Sequence, residues 1–436
     1  MNRDGQASSE PALGRAWWMV AVLFVLYVFS WLDRLILSML VKPIKLDLGL
    51  SDVEVSMVTS TSFAVSYALF GLPLGWAADR WPRRWIIFGG AIVWAFATVA
   101  SGFASTYHQL LLARVFVGAG EAALLPAAYS LIADGFPQRL LTRATSTFQM
   151  AGKVGSATAF GLGGLAIAYA TARAGIDLPI HGPAQPWQMV LMMVGAPGLL
   201  LALLVFSFPD PGRRQARGGA AEPLGPFLAA HWPLLLLMLL GTSCLAVCGY
   251  SMTNWVPAYI ERRFGWTPVQ YGGALSAMNI VSAGSLVVNG WIVDRLFARG
   301  MKDAHLRFYS WLILAVLPVL AWMFFTDSAW AFLAGYCVAQ FITVPFMVYV
   351  STILALIAPA TARAKLLGFF LFVFTMIGQG AGPALVASLT DYVFMDESKL
   401  GYSLAIVVTA GALIALACFR FALRFLGPAI LSREST

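Results

Sequence analysis

The sequence predicts an all-α membrane protein whose 12 transmembrane helices form two pseudo-symmetric six-helix bundles, and three observations carry that prediction. Hydrophobic residues make up 60% of the 436 positions and charged residues 11%, about half the charged share of a soluble domain. The apolar runs recur along nearly the whole chain, and most reach the roughly 20 residues that a helix needs to cross the hydrocarbon core. A short string recurs 215 positions apart, close to half the chain length.

The first apolar run follows a polar stretch and covers 17–41. It is longer than a signal-peptide core and lacks an obvious small-residue cleavage site, so it reads as a retained first helix. Further runs at 53–78, 84–104, 109–133, 144–171 and 187–208 complete a first set of six. A stretch rich in Pro, Gly and Arg follows, and a second set covers 232–260, 268–293, 308–325, 329–357, 366–391 and 402–425. The expected organisation is an N-terminal tail (1–16), a first bundle (17–208), a linker (209–228), a second bundle (229–425) and a C-terminal tail (426–436).

Basic residues fix the expected orientation, because Lys and Arg anchor loops on the cytoplasmic side. With the N-terminus inside, nineteen of the 28 Lys and Arg residues fall on inner segments, among them Arg3, Arg213, Arg214, Arg217 and Arg433. Six fall outside and three, Arg34, Arg114 and Lys153, fall within spans. Both termini are therefore expected to be cytoplasmic, and a bacterial inner membrane is compatible with the short tails and loops.

The net charge of +8 does not point to nucleic acid, since the basic residues are scattered among short loops with no concentrated patch. Cys244, Cys248, Cys337 and Cys418 all fall in predicted spans without metal-ligand companions, which argues against a disulfide framework or a zinc site. Gly161-Leu162-Gly163-Gly164 has no preceding strand, and Gly152-Lys153 has no Walker-type spacing, so neither a dinucleotide site nor an ATP-driven pump is expected. His108, His181, His231 and His305 lie in loops or at helix ends, leaving no catalytic constellation at mid-depth and no reason to expect an enzyme, a cofactor or a metal.

The recurring string is Gly75-Trp76-Ala77-Ala78-Asp79-Arg80 after the second span and Gly290-Trp291-Ile292-Val293-Asp294-Arg295 after the eighth. Its copies sit at equivalent points of two halves, as parallel repeats do. The loop Gly75-x-x-x-Asp79-Arg80-x-x-Arg83-Arg84, its weaker copy and the two six-span halves resemble the major facilitator superfamily. Asp33-Arg34 in the first span, Arg114-Val115-Phe116-Val117-Gly118-Ala119-Gly120-Glu121 in the fourth and Ile132-Ala133-Asp134-Gly135-Phe136-Pro137 are similar to the spinster branch. Organic-anion:proton symporters of the superfamily share the Asp-Arg pair and the Gly-Glu. The resemblance implies a secondary transporter, and its spinster part implies lysophospholipid or sphingolipid-type cargo.

Gly75, Asp79, Arg80, Arg83 and Arg84 are the expected conformational latch. Asp79 would meet the positive N-terminal end of the eleventh span, Gly75 would permit close helix approach, and the arginines would serve the latch or anionic headgroups. Plain topology anchoring is the competing reading. Pro82 stands where the superfamily commonly has glycine, and the second copy keeps only Arg299 beyond Asp294-Arg295, so the latch is expected to be asymmetric.

Five ionisable residues fall at bilayer depth: Asp33, Arg34, Arg114, Glu121 and Lys153. Each would cost on the order of 2.5 to 3.5 kcal/mol at a lipid-facing helix centre, so they should turn inward and toward one another. At about 1.5 Å per residue, Asp33 lies about 24 Å along its span and Arg114 about 8 Å from the start of its own. That depth pairs Asp33 with Arg114 and places Glu121, two turns deeper, with Lys153. Asp33 and Glu121 are the expected proton-coupling residues, and Arg34, Arg114 and Lys153 the expected anion-binding ones. Drawing a cation away from a buried carboxylate favours its protonation, which ties proton binding to cargo binding. Permanent ion pairs that only tie helices together are the structural alternative.

Charges on the first-half wall, facing an apolar second half with Trp255, Trp291 and Phe346 among its candidates, suit an amphipathic anion. The expected function is a proton-coupled secondary transporter of an amphipathic anionic lipid, with a symporter of small organic anions as the alternative. Membrane lipids and protons are the other expected partners, nucleic acid is not, and a monomer is expected. A lipid-modifying enzyme, a passive channel and a scaffold are the readings from other classes.

Overall fold

The structure is a computed structural model that describes residues 10–173, 177–178, 182–212 and 224–434. Positions 1–9 of the expected N-terminal tail, 213–223 of the expected linker and 435–436 of the expected C-terminal tail lie outside the described residues, and with them Arg3, Arg213, Arg214 and Arg217.

Twelve helices among the described residues are long and apolar enough to cross a membrane: Leu13–Met39, Asp52–Ala78, Arg83–Ser101, Tyr107–Gly135, Arg139–Ala172, Pro186–Ser207, Gly225–Phe264, Pro268–Ala298, Ala304–Phe325, Ala329–Leu354, Lys365–Phe394 and Glu397–Ile430. They are called the first to twelfth spans. Each coincides with one apolar run of the sequence. Several are longer than their runs because helix continues through polar ends, as at Arg139–Ala172 and Glu397–Ile430. The only strand pairing among the described residues joins Asp177–Leu178 to Gly182–Pro183.

Local signals set the helix ends. Ser51 caps the second span through a reciprocal bond with Glu54, satisfying two backbone donors that a helix start leaves open. Thr106 caps the fourth by accepting from the backbone of Gln109. Between the first two spans runs a short helix, Val41–Leu48, closed by Gly49 at φ 65°, a left-handed position that suits glycine. Wider π-type turns interrupt the second span at Met57–Thr61 and the eleventh at Thr375–Ala381. Such turns displace backbone bonding and let a helix bend.

The chain divides into two compact units, one of residues 1–216 with 267–276, the other of 217–266 with 277–436. In the first unit, the first span packs along the fifth, and the third packs against the fourth and sixth. Glycine permits close approach of the first and fifth spans: a Cβ at Gly155 would stand 2.6 Å from Trp31 Cβ and 2.8 Å from the carbonyl oxygen of Val28. Around the crossing lies a core that includes Leu23, Leu26, Phe63, Trp94, Val117 and Phe148.

In the second unit, the seventh span packs along the twelfth and against the eleventh. Tyr309 stacks on Tyr349 with ring centroids 4.2 Å apart and donates its hydroxyl to the carbonyl of Ile342. Trp255 is fully buried and donates Nε1–H to the Pro383 carbonyl at 2.9 Å. It is a packing residue, and Trp291, 56% exposed, is not buried within its unit.

Candidate functional site

The intramembrane charges of the first four spans converge in the core of the first unit. Asp33, Arg114 and Glu121 are at most 2% exposed. Arg114 Nη1 lies 3.7 Å from Asp33 Oδ2, the pairing that helix depth predicts. Glu121 is bound differently from the expectation: its Oε2 accepts from Arg34 Nε at 2.6 Å and from the Ser30 hydroxyl at 2.5 Å. Lys153 is half-buried on the fifth span, with no ion pair among the described residues.

Side-chain direction explains the exchange of partners. A helical side chain leans back over the turn on the N-terminal side of its own Cα. Arg34 therefore reaches down to the level of Ser30, where Glu121 stands, while Asp33 is too short to leave its own level and meets Arg114.

Aromatic rings complete the cluster. The Arg34 guanidinium carbon lies 4.6 Å from the Phe63 ring centroid, 5.0 Å from Tyr67 and 5.4 Å from Trp31, and that of Arg114 lies 5.8 Å from Phe63. Such faces stabilise a desolvated cation. The third span adds Thr98, whose hydroxyl reaches Asp33 Oδ2 at 2.8 Å. Thr98 was not read from the sequence as a site residue; its signal is a buried hydroxyl in an otherwise apolar run.

Bonding in the cluster is incomplete. Nε, Nη1 and Nη2 of Arg114, Oδ1 of Asp33 and Oε1 of Glu121 are buried without a hydrogen-bond partner among the described residues. Buried polar groups are nearly always paired with protein or water, so these five atoms are the unspent hydrogen-bonding capacity of the cluster.

The residues assigned to the latch separate into two groups. Asp79 and Arg80 are exposed, with Arg80 stacked 4.2 Å over the Trp76 ring. A methyl at Gly75 would stand 3.8 Å from Pro126 Cβ, an ordinary contact, so packing within the first unit does not demand glycine there. Arg83, by contrast, is 1% exposed. It pairs with Asp134, donates Nη2–H to Asp210 Oδ1 at 2.5 Å and reaches the carbonyls of Ser130 and Gly212 at 3.2 and 3.0 Å. Arg84 donates to the Phe208 carbonyl at 2.8 Å. Arg83 thus clamps the third span to the fourth and to the segment after the sixth, and is not free for a headgroup. Burial raises the Asp210 carboxyl, but the bonds and charge of Arg83, the Gly212 N–H and the charge of Arg84 outweigh it and hold the group below its ordinary range.

Twelve spans, a duplicated loop and a charged core in one half are characters that many membrane carriers share, and comparison decides among them. Residues 23–383 match the sequence pattern of the Major Facilitator Superfamily. The chain belongs to this superfamily. A Major Facilitator Superfamily-type efflux pump of Mycolicibacterium smegmatis is 28% identical over 422 residues, covering 93% of this chain and 92% of that protein. Protein spinster homolog 1 of Homo sapiens is 29% identical over 260 residues, which span 57% of this chain and 46% of the human protein. A crystal structure of a bacterial homologue of the human lysosomal transporter Spinster, inward-facing and unoccupied, superposes with a TM-score of 0.77 at 21% identity, covering 95% of this chain and 97% of that one. As a superfamily member resembling the spinster branch, the chain is an integral multi-pass membrane transporter of small molecules and not an enzyme.

Proposed function

We propose that this transporter is a proton-coupled secondary carrier of an amphipathic anion, a lysophospholipid or sphingolipid-like molecule, working by alternating access. Asp33 and Glu121 take the proton, and Arg34, Arg114 and Lys153 receive the anionic head. Gly75, Asp79, Arg80, Arg83 and Arg84 set the conformational equilibrium, with Arg83 acting through the clamp inside its own bundle. The domain plan proposed with it is a first bundle at 17–208 and a second at 229–425, joined by a linker at 209–228 and flanked by tails at 1–16 and 426–436. Both tails face the cytoplasm, the chain sits in the inner membrane, and it works as a monomer.

The carrying observation is the Arg114 guanidinium, buried with none of its three nitrogens hydrogen-bonded and a carboxylate 3.7 Å away. An anion that engages those nitrogens weakens the hold of Arg114 on Asp33. A buried carboxylate that loses its cation gains affinity for a proton, so cargo and proton enter together. The lipid part of the reading draws on the likeness to spinster proteins. A small organic anion is the second reading, favoured by the polar cluster itself, which contains nothing that requires a tail.

Proteoliposomes with an imposed pH gradient test the proposal. Uptake of a fluorescent lysophospholipid should be saturable, should follow the gradient and should be resisted by excess unlabelled lysolipid. Inhibition by a short dicarboxylate but not by lysolipid would transfer the assignment to small organic anions. Uptake indifferent to pH, and unchanged in Asp33→Asn and Glu121→Gln, would leave the ion pairs as structural ties.

A further inference from the structure

The Thr98 hydroxyl has two acceptors and one hydrogen. Its Oγ1 lies 2.8 Å from Asp33 Oδ2 and 3.0 Å from the carbonyl oxygen of Trp94, one helical turn earlier. A hydroxyl donates to one acceptor at a time and offers lone pairs to a second donor. With Asp33 ionised, the hydrogen points at Oδ2. With a proton on Oδ2, the new O–H donates to Thr98 Oγ1, and the threonine hydrogen turns to the Trp94 carbonyl. Protons and bonds balance in both states: the arriving proton stays on Oδ2 and no heavy atom moves.

The position leaves little else for Asp33 to bond to. Among the described residues the Thr98 hydroxyl is its sole hydrogen-bond donor, since Oδ1 has no partner and Arg114 stands at 3.7 Å. The charged groups that act on Asp33 are Arg34 on its own helix and Arg114 and Glu121 on the fourth span. Tyr67 of the second span packs on Arg34, and Lys153 stands on the fifth span. The third span faces the carboxyl with Thr98, which is 1% exposed.

We propose that Thr98 is a positioning residue that holds the Asp33 carboxyl in one geometry through both protonation states, so that protonation alters the charge opposite Arg114 without displacing the group. The inference rests on the proton role of Asp33. A threonine that merely bonds back to its own helix, as buried threonines often do, needs only the Trp94 carbonyl.

The test reads the carboxyl itself and needs no cargo. Full-length protein in phosphatidylcholine liposomes is titrated by infrared difference spectroscopy, and the Asp33 carbonyl band is the one missing from Asp33→Asn. A bond to an ionised carboxylate is stronger than one to a neutral acid, so Thr98→Val should move the midpoint of that band upward by about one pH unit. Thr98→Ser should restore the wild-type midpoint, and Thr98→Ala should shift as valine does should valine not be accommodated. Midpoints that coincide in wild type, Thr98→Val and Thr98→Ala overturn the role of Thr98 alone. Wild-type and Asp33→Asn spectra that match at every pH overturn the proton role of Asp33, and the inference with it.

Discussion

Arg34 and Glu121 are joined by a 2.6 Å Nε to Oε2 bond, and Ser30, one turn earlier on the same helix, donates to the same oxygen. The pair is desolvated, with side-chain exposures of 12% and 0%. Removing one partner of a buried pair costs about 3 to 5 kcal/mol because the other charge is stranded. Arg34 keeps three aromatic neighbours, which places Glu121→Gln at the lower end of that range. Its thermal unfolding midpoint in detergent should fall, and gradient-driven uptake should drop at least about tenfold. Arg34→Gln combined with Glu121→Gln should recover stability relative to Glu121→Gln, with no recovery of uptake. A Glu121→Gln protein as stable as wild type would show the pair to be energetically idle.

Arg83 predicts a dependence of stability on acid that has nothing to do with transport. The Asp210 carboxyl is held below its ordinary value in the folded protein, so its contribution is fully present above the unfolded value near 3.9 and is lost as pH falls through the lower folded value. Thermal midpoints recorded from neutral pH down to about pH 3 should decline in wild type. Arg83→Gln should be less stable at neutral pH and should decline less over the acid range. Parallel curves for the two proteins would mean that the clamp does not link Asp210 to folding.

Much of this was readable in the residues, and the part that was not has a physical cause. Charges in apolar runs are conspicuous, so Asp33, Arg34, Arg114, Glu121 and Lys153 stood out, and helix rise paired Asp33 with Arg114. The same arithmetic gave Glu121 to Lys153, because rise fixes the depth of a Cα and says nothing of where a long side chain ends. Arginine reaches back a full turn, which put Arg34 beside Glu121. The apolar runs located every span, yet they ended short wherever polar residues prolong a helix. Asp210 sits between two prolines in a connecting segment, where no periodicity announces a partner for Arg83. Trp255 looks like a cavity wall by composition, and its full burial together with its bond to Pro383 marks it as core.

Lys153 stands in the same bundle without an ion pair among the described residues, so its charge has no evident structural task. Substitution by glutamine should leave the thermal midpoint within the scatter of wild type. For a lysophospholipid probe the apparent KM should rise by about tenfold, the effect of one lost charged hydrogen bond. Uptake kinetics together with a thermal melt on the same preparation separate the two effects. An unchanged KM would remove Lys153 from the anion site, and a large fall in stability would assign it to packing.

The indole of Trp255 donates to Pro383 at 2.9 Å from a fully buried position. Proline has no N–H, so the eleventh span lacks one helical bond here, and Trp255 ties that region to the seventh span. Trp255→Phe removes the donor and some volume, which together cost about 1 to 3 kcal/mol, so the thermal midpoint should fall. A packing role leaves cargo recognition alone, and KM for the lysophospholipid probe should stay within about twofold of wild type. Loss of affinity without loss of stability would return Trp255 to the cargo-binding surface and restore an aromatic wall for the tail.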